Sequence, residues 1–197
     1  MSEHNNKSSR EKLIAATIEL ISSRGFESTG INAILEAAGV TKSNFYYHFK
    51  SKEDLCLVAL DVMCESAAAQ VFDPIFQDAK VSPKGRLLKL FDTIEKQLSA
   101  AECTIGCPFV NLGAETADFY PAFQKRLASH FELYTNKIAA CYQEGVKKGE
   151  FTNAITAPQA AQMIVCLING TILMTKVQKS LSPLKTNSKA LFRLLLT

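Results

Sequence analysis

The chain has 197 residues, of which 47% are apolar and 21% charged, and a net charge of +3. This is the balance of a globular protein with one or two domains and a sizeable core, and it excludes a low-complexity chain. The charge is too small to argue for a nucleic-acid partner by itself: residues 1–52 hold seven Lys/Arg against five Asp/Glu, a weak lean toward the N-terminus.

No run of 18 or more apolar residues is present, so no membrane span is expected. The opening MSEHNNKSSREK lacks the apolar stretch of a secretory signal. Six cysteines, at 56, 64, 103, 107, 141 and 166, are scattered through apolar segments rather than set in a dense framework. These features predict a cytoplasmic protein with reduced thiols.

Helical periodicity runs along the chain. Over Ser9–Arg24, Leu13, Ile14, Leu20 and Ile21 fall on one side, with Thr17 between them and Ala16 and Ile18 at the flanks. Ser8 or Ser9 caps the start and Arg24-Gly25 stops it. A short helix after Thr29 or Gly30 carries Ile31, Ile34, Leu35 and Ala38 and ends at Gly39. Thr41 caps a third over about 42–49, and Ser51 caps a fourth that runs to about Phe72 and stops before Asp73-Pro74. Pro83 opens a helix through Leu87, Leu90, Phe91, Ile94 and Leu98. After a broken stretch at 104–108, helices are expected at about 109–116 and 121–148. Pro158 opens a long, very apolar helix to about Lys179, and a last helix covers about 184–196. No alternating pattern is long enough for a sheet, so the expected fold class is all-α.

The most specific signal lies in FESTGINAILEAAGVTKSNFYYHFKSKEDL, residues 26–55. A short helix, a turn through Gly39 and a second short helix make a helix-turn-helix unit. Ile34, Leu35, Phe45, Phe49 and Leu55 can bury together, which leaves Lys42, Ser43, Asn44, Tyr46, Tyr47 and His48 on other faces. In a major groove, short amides and hydroxyls reach base edges, while Tyr, His and Lys hold phosphates.

This segment resembles the DNA-binding domain of the tetracycline-repressor (TetR) family, most closely over GVTKSNFYYHFKSKEDL. The resemblance is strong over about residues 9–57 and covers the rest as general architecture. It implies that Lys42, Ser43 and Asn44 lie near base edges, and that Tyr46, Tyr47 and His48 meet phosphate, sugar or base. It further implies phosphate contacts for Lys52 and Thr41 and a backbone contact for Asn32. The expected division is a helix-turn-helix DNA-binding domain over 1–52 and an effector-binding and dimerisation domain over 53–197.

The resemblance also implies a homodimer through the last two long helices. Residues 158–179 are apolar nearly all round, and Ala161 and Gly170 allow close approach. Leu191, Leu194, Leu195 and Leu196 complete that seam. CTIGCPFVNLGAE, from Cys103 to Glu115, is similar to a subgroup of these repressors, some of which answer to electrophiles or aromatic compounds. A thiol at a helix start favours its thiolate, so Cys107 is a candidate sensor and Cys103 its resolving partner. Phe109, Phe119, Tyr120, Phe123, Phe131 and Tyr134, with Asn111 and Glu115 as polar handles, can line an apolar effector pocket.

The function expected is operator binding by a homodimeric repressor that a small molecule or electrophile releases. The alternatives are an activator of the same fold and a thiol-dependent enzyme. No Gly-rich phosphate loop, G-x-S-x-G or H-E-x-x-H is present, so no enzyme and no cofactor are expected. The three histidines, at 4, 48 and 130, assemble no metal set around Cys103 and Cys107.

Overall fold

The computed structural model describes residues 8–196, and the opening segment that contains His4 lies outside them. Among the described residues the regular structure is helical, with one isolated bridge between Phe151 and Leu196. The chain divides into two units.

The first unit extends to Glu65 and includes Pro108–Leu127. It opens with α1, Ser9–Arg24, whose start is a capping box: the Ser8 hydroxyl accepts from the Glu11 amide, and the Glu11 carboxylate accepts from the Ser8 amide. Leu13, Ile14, Ala16, Thr17, Leu20 and Ile21 are buried, the stripe expected from the periodicity. Helix α2, Ile31–Ala38, ends at Gly39, whose left-handed φ of 62° lets the Val40 amide reach back to the Leu35 carbonyl at 3.1 Å. Helix α3, Lys42–His48, is capped by Thr41, and α4, Lys52–Ala67, starts where Ser51 accepts from the Asp54 amide. Ile34, Phe45, Phe49 and Leu55 bury with Leu13, Ile14 and Leu20. Leu35 is half-buried at the edge of that cluster. The unit is completed by α7, Pro108–Thr116, and by the first turns of α8, Pro121–Lys147.

The second unit comprises Ser66–Cys107 and the chain from Ala128 onward. Here one expectation fails. The fourth helix does not stop before Asp73-Pro74 but passes through a π-turn, Ala68–Phe72, into α5, Asp73–Phe76. The Asp73 amide reaches five residues back to Ala68. A widened turn there carries the chain past a proline that lacks an N–H and crowds a regular helix. Helix α6, Pro83–Ala100, α9, Ala157–Gln178, and α10, Ser182–Leu195, enclose the core with the rest of α8. Within it Tyr142 stacks on Phe151 at 4.9 Å and donates to the Thr152 carbonyl at 2.8 Å.

The buried arginine of this unit is paired. Arg86 is buried, donates twice to Glu144 at 2.8 and 3.0 Å, and uses its Nε on the Val81 carbonyl. Together with Lys148, it holds the Glu144 carboxyl down at about 2. By length and mean hydropathy, Lys52–Phe76 and Ala157–Gln178 are long and apolar enough to cross a membrane, although no membrane span was expected. In α9 much of that apolar surface, Ile164, Val165 and Ile168 included, turns into the chain's own core.

His130 is buried edge-on to Phe72, Phe131 and Tyr134, and burial pushes its imidazole down to about 4 from an ordinary 6.5. Above pH 6.5 the ring is neutral in both the folded and unfolded chain. Below it the unfolded chain takes a proton that the folded one refuses, so stability falls as pH drops from about 6.5 to about 4. Denaturant midpoints measured across that window should show this slope in the unmodified protein and a slope shallower by one proton in His130→Phe. Equal slopes in the two proteins would contradict the assignment.

Candidate nucleic-acid interface

Helix α3 divides its side chains sharply. Phe45 is fully buried and Phe49, just past its end, nearly so, which fixes the helix on α1 and α2. The opposite side is open: Tyr47 is 83% exposed and Tyr46 52%, and Thr41, Lys42 and Ser43 are exposed at the start. His48 is half-buried with its ring edge-on to Tyr47 at 4.9 Å. Asn32, on α2, is exposed. Lys42 and Lys50 are exposed, and Arg10 lays its guanidinium over Phe49 at 5.6 Å.

Asn44 and Lys52, two of the candidate DNA contacts, are hydrogen-bonded to other elements of the unit. The Asn44 amide donates to the Ser9 hydroxyl at 3.0 Å, tying the recognition helix to the start of α1. The Lys52 ammonium donates to the Phe26 carbonyl at 3.0 Å and sits 4.0 Å from the centre of the Phe26 ring. In the sequence Ser9 reads only as a candidate cap and Arg10 as an ordinary residue in the first turn of an amphipathic helix.

Phe26 belongs to the turn between α1 and α2, which is held from several directions. Gly25 takes φ 85°, a left-handed backbone that favours glycine, and a Cβ there would collide with the carboxylate of Glu115. The same carboxylate accepts from the amides of Phe26 at 2.7 Å and Glu27 at 3.0 Å. Thr29 closes the turn, its hydroxyl donating to the Gly25 carbonyl at 2.7 Å and its amide to the Phe26 carbonyl at 3.2 Å. The Phe26 ring is 1% exposed and meets Tyr120 and Phe123 edge-on at 5.0 and 5.1 Å.

The nine candidate effector residues divide between the two units. Phe109, Asn111, Glu115, Phe119, Tyr120 and Phe123 belong to the first, and Cys107, Phe131 and Tyr134 to the second. Glu115 spends its carboxylate on the turn, Phe123 is fully buried against Phe26, and Phe119 is 77% exposed. Phe109 and Asn111 are half-buried on α7. Cys107, also half-buried, immediately precedes the first residue of that helix. Phe131 lines an open groove of about 680 Å³ between α8 and α9, whose walls include Glu132, Asn136, Gln162, Cys166 and Asn169. Tyr134 adjoins it, with its hydroxyl 3.5 Å from the Asn169 amide nitrogen. Among the described residues no group of three His, Cys, Asp or Glu is placed to hold a metal ion.

A short helix, a glycine turn and a second short helix that buries one face and opens the other define a helix-turn-helix DNA-binding transcriptional regulator. The chain belongs to the TetR family. Residues 13–59 match the family model described as bacterial regulatory proteins, tetR family, and residues 83–191 match the tetracyclin repressor-like C-terminal domain. An uncharacterized HTH-type transcriptional regulator of Lactococcus lactis is 30% identical over 193 residues, covering 95% of this chain and 93% of its own. The HTH-type transcriptional repressor NemR of Escherichia coli is 26% identical over 189 residues, covering 94% and 92%. A TetR regulatory protein of Rhodobacter sphaeroides superposes with a TM-score of 0.87 at 26% identity, covering 95% of this chain and 99% of that one.

Proposed function

We propose that the chain acts in the cytoplasm as a homodimeric repressor, and that an effector bound by its C-terminal half releases it from its operator. The observation that carries this reading is the open face of α3, with two tyrosines more than half exposed beside Lys42 and Ser43. A soluble helix has no reason to leave such side chains in water, whereas a major groove uses all of them. Lys42, Ser43 and Asn44 face base edges, Tyr46, Tyr47 and His48 meet phosphate or sugar, and Thr41 and Asn32 meet the backbone. Lys52 has two N–H donors beyond the one spent on Phe26 and serves a phosphate with them.

The dimer forms through 158–179 and 184–196, on a narrower seam than the all-round apolar pattern suggests. Ala161, Ile168, Leu191 and Leu195 turn into the chain's own core. What remains outward is a stripe of Met163, Gly170, Leu173, Met174 and Val177, with Leu194 of α10 also exposed. The spacing follows one helical face, and such a stripe needs a cover.

The effector is a small, mostly apolar molecule, and the groove containing Phe131 is the cavity best suited to it. An electrophile acting at Cys107 is a second route, supported by its position directly ahead of α7.

Three measurements check these readings. DNA fragments retained by the pure protein should share a sequence, and Lys42→Ala should flatten the salt dependence of binding by roughly one phosphate's worth. Retention without any shared sequence would count against an operator. Leu173→Asp with Val177→Asp places charge in an apolar seam and should raise the dimer dissociation constant at least about a hundredfold. Unmodified protein sedimenting as a monomer at micromolar concentration would remove the seam. A mild electrophile should release DNA from the unmodified protein but not from Cys107→Ser. Equal release from both would leave reversible binding as the mechanism.

A further inference from the structure

Helix α1 has the recognition helix at one end and Glu115 at the other. At its start, Ser9 takes the hydrogen bond from Asn44 of α3, and at its end Gly25 opens the turn whose two following amides point at one carboxylate oxygen. The backbone amide of a buried residue such as Phe26 must be paired, and the amide of the exposed Glu27 points at the same carboxylate oxygen. No acceptor within the turn serves either amide, and Glu115 supplies it from 88 and 89 residues away. Phe26 is buried, and its ring and carbonyl are held by side chains of α4 and α8. The far end of α1 is therefore fixed by α7 through a two-bond clamp, and α1 is a rod of about 24 Å at 1.5 Å per residue.

We propose that Glu115 is a positioning residue for operator reading: its carboxylate clamps the α1–α2 turn, and through α1 holds α3 at the angle that fits the operator. The proposal rests on the reading of α3 as the DNA reader. It differs from an effector-handle role for Glu115, under which operator affinity in the absence of effector would not depend on this residue. It also predicts a sign that charge alone does not. Removing an acid from a DNA-binding unit should strengthen binding to any duplex, whereas loss of the clamp weakens binding to the operator.

The test uses the full chain, a duplex that the unmodified protein selects from a random pool, and a scrambled duplex of equal length. Glu115→Ala should bind the selected duplex about tenfold more weakly, the loss expected when charge-assisted hydrogen bonds are removed. Its affinity for the scrambled duplex should hold or rise, with an unchanged salt slope. Glu115→Gln, whose carbonyl oxygen can accept the same two amides, should stay within about threefold of the unmodified protein. Glu115→Asp keeps the charge but shortens the reach, and should weaken operator binding more than Glu115→Gln.

The amide proton resonances of Phe26 and Glu27 should move upfield in the Ala and Asp variants and hold in the Gln variant. If Glu115→Ala does not fold, the order of the Gln and Asp variants decides. Asp at or above Gln overturns the proposal, as does an Ala variant with undiminished operator affinity. An unmodified protein that selects no sequence would overturn the regulator reading and this proposal together. Selection without any Glu115 dependence would overturn the proposal alone.

Discussion

The DNA-reading unit depends on the burial of Phe26 at the turn between α1 and α2. A buried aromatic there takes its own backbone amide and carbonyl out of water, and each needs a partner; the amide of the exposed Glu27 lies beside the first. Glu115 pairs the amides, and Lys52 and Thr29 pair the carbonyl. The rings of Tyr120 and Phe123 close over the side chain. The unit that carries the helix-turn-helix consequently includes residues 108–127 as well as the N-terminal segment. A boundary at residue 52, as expected from the sequence, would separate Phe26 from half of its packing and from the acceptor of its amide. The segment that completes the reader also lies inside the match to the C-terminal family model. Any effector event that shifts α7 therefore acts on residues packed within the reader itself.

Most of the secondary structure was legible because its causes are local. The stripe on α1, the capping serines and threonines, Gly39 and the prolines that open helices all act within one or two turns of chain, and the observed bounds follow them. Asp73-Pro74 misled because a π-turn absorbs the proline, and a five-residue hydrogen bond leaves no mark in composition. The open face of α3 was equally legible, since burying Phe45 and Phe49 dictates which neighbours stay outside.

The partners of the individual site residues were not legible. Glu115 looked like a polar handle among aromatics because its partners are backbone amides, which have no side-chain signature. Lys52 looked like a phosphate contact, and its bond to the Phe26 carbonyl is likewise invisible in the sequence. The all-round apolar character of α9 does not tell which side meets the chain's own core, and only the structure divides it. Ile164, Val165 and Ile168 turn inward, while Met163, Leu173 and Val177 turn out. A regulator of this kind needs two states that differ in affinity for DNA and an effector that prefers one of them. The groove proposed for the effector shares Gln162 and Cys166 with the outward side of α9.

The central claim is that two copies of α3 read one DNA site. A hydroxyl-radical footprint on the duplex selected by the pure protein tests it most directly. The account predicts two equal patches of protection on one face of the duplex, their centres separated by about one helical turn (roughly 34–36 Å) or a multiple of it, over a sequence with approximate two-fold symmetry. A single protected patch on an asymmetric sequence, with one chain bound per duplex, would contradict it.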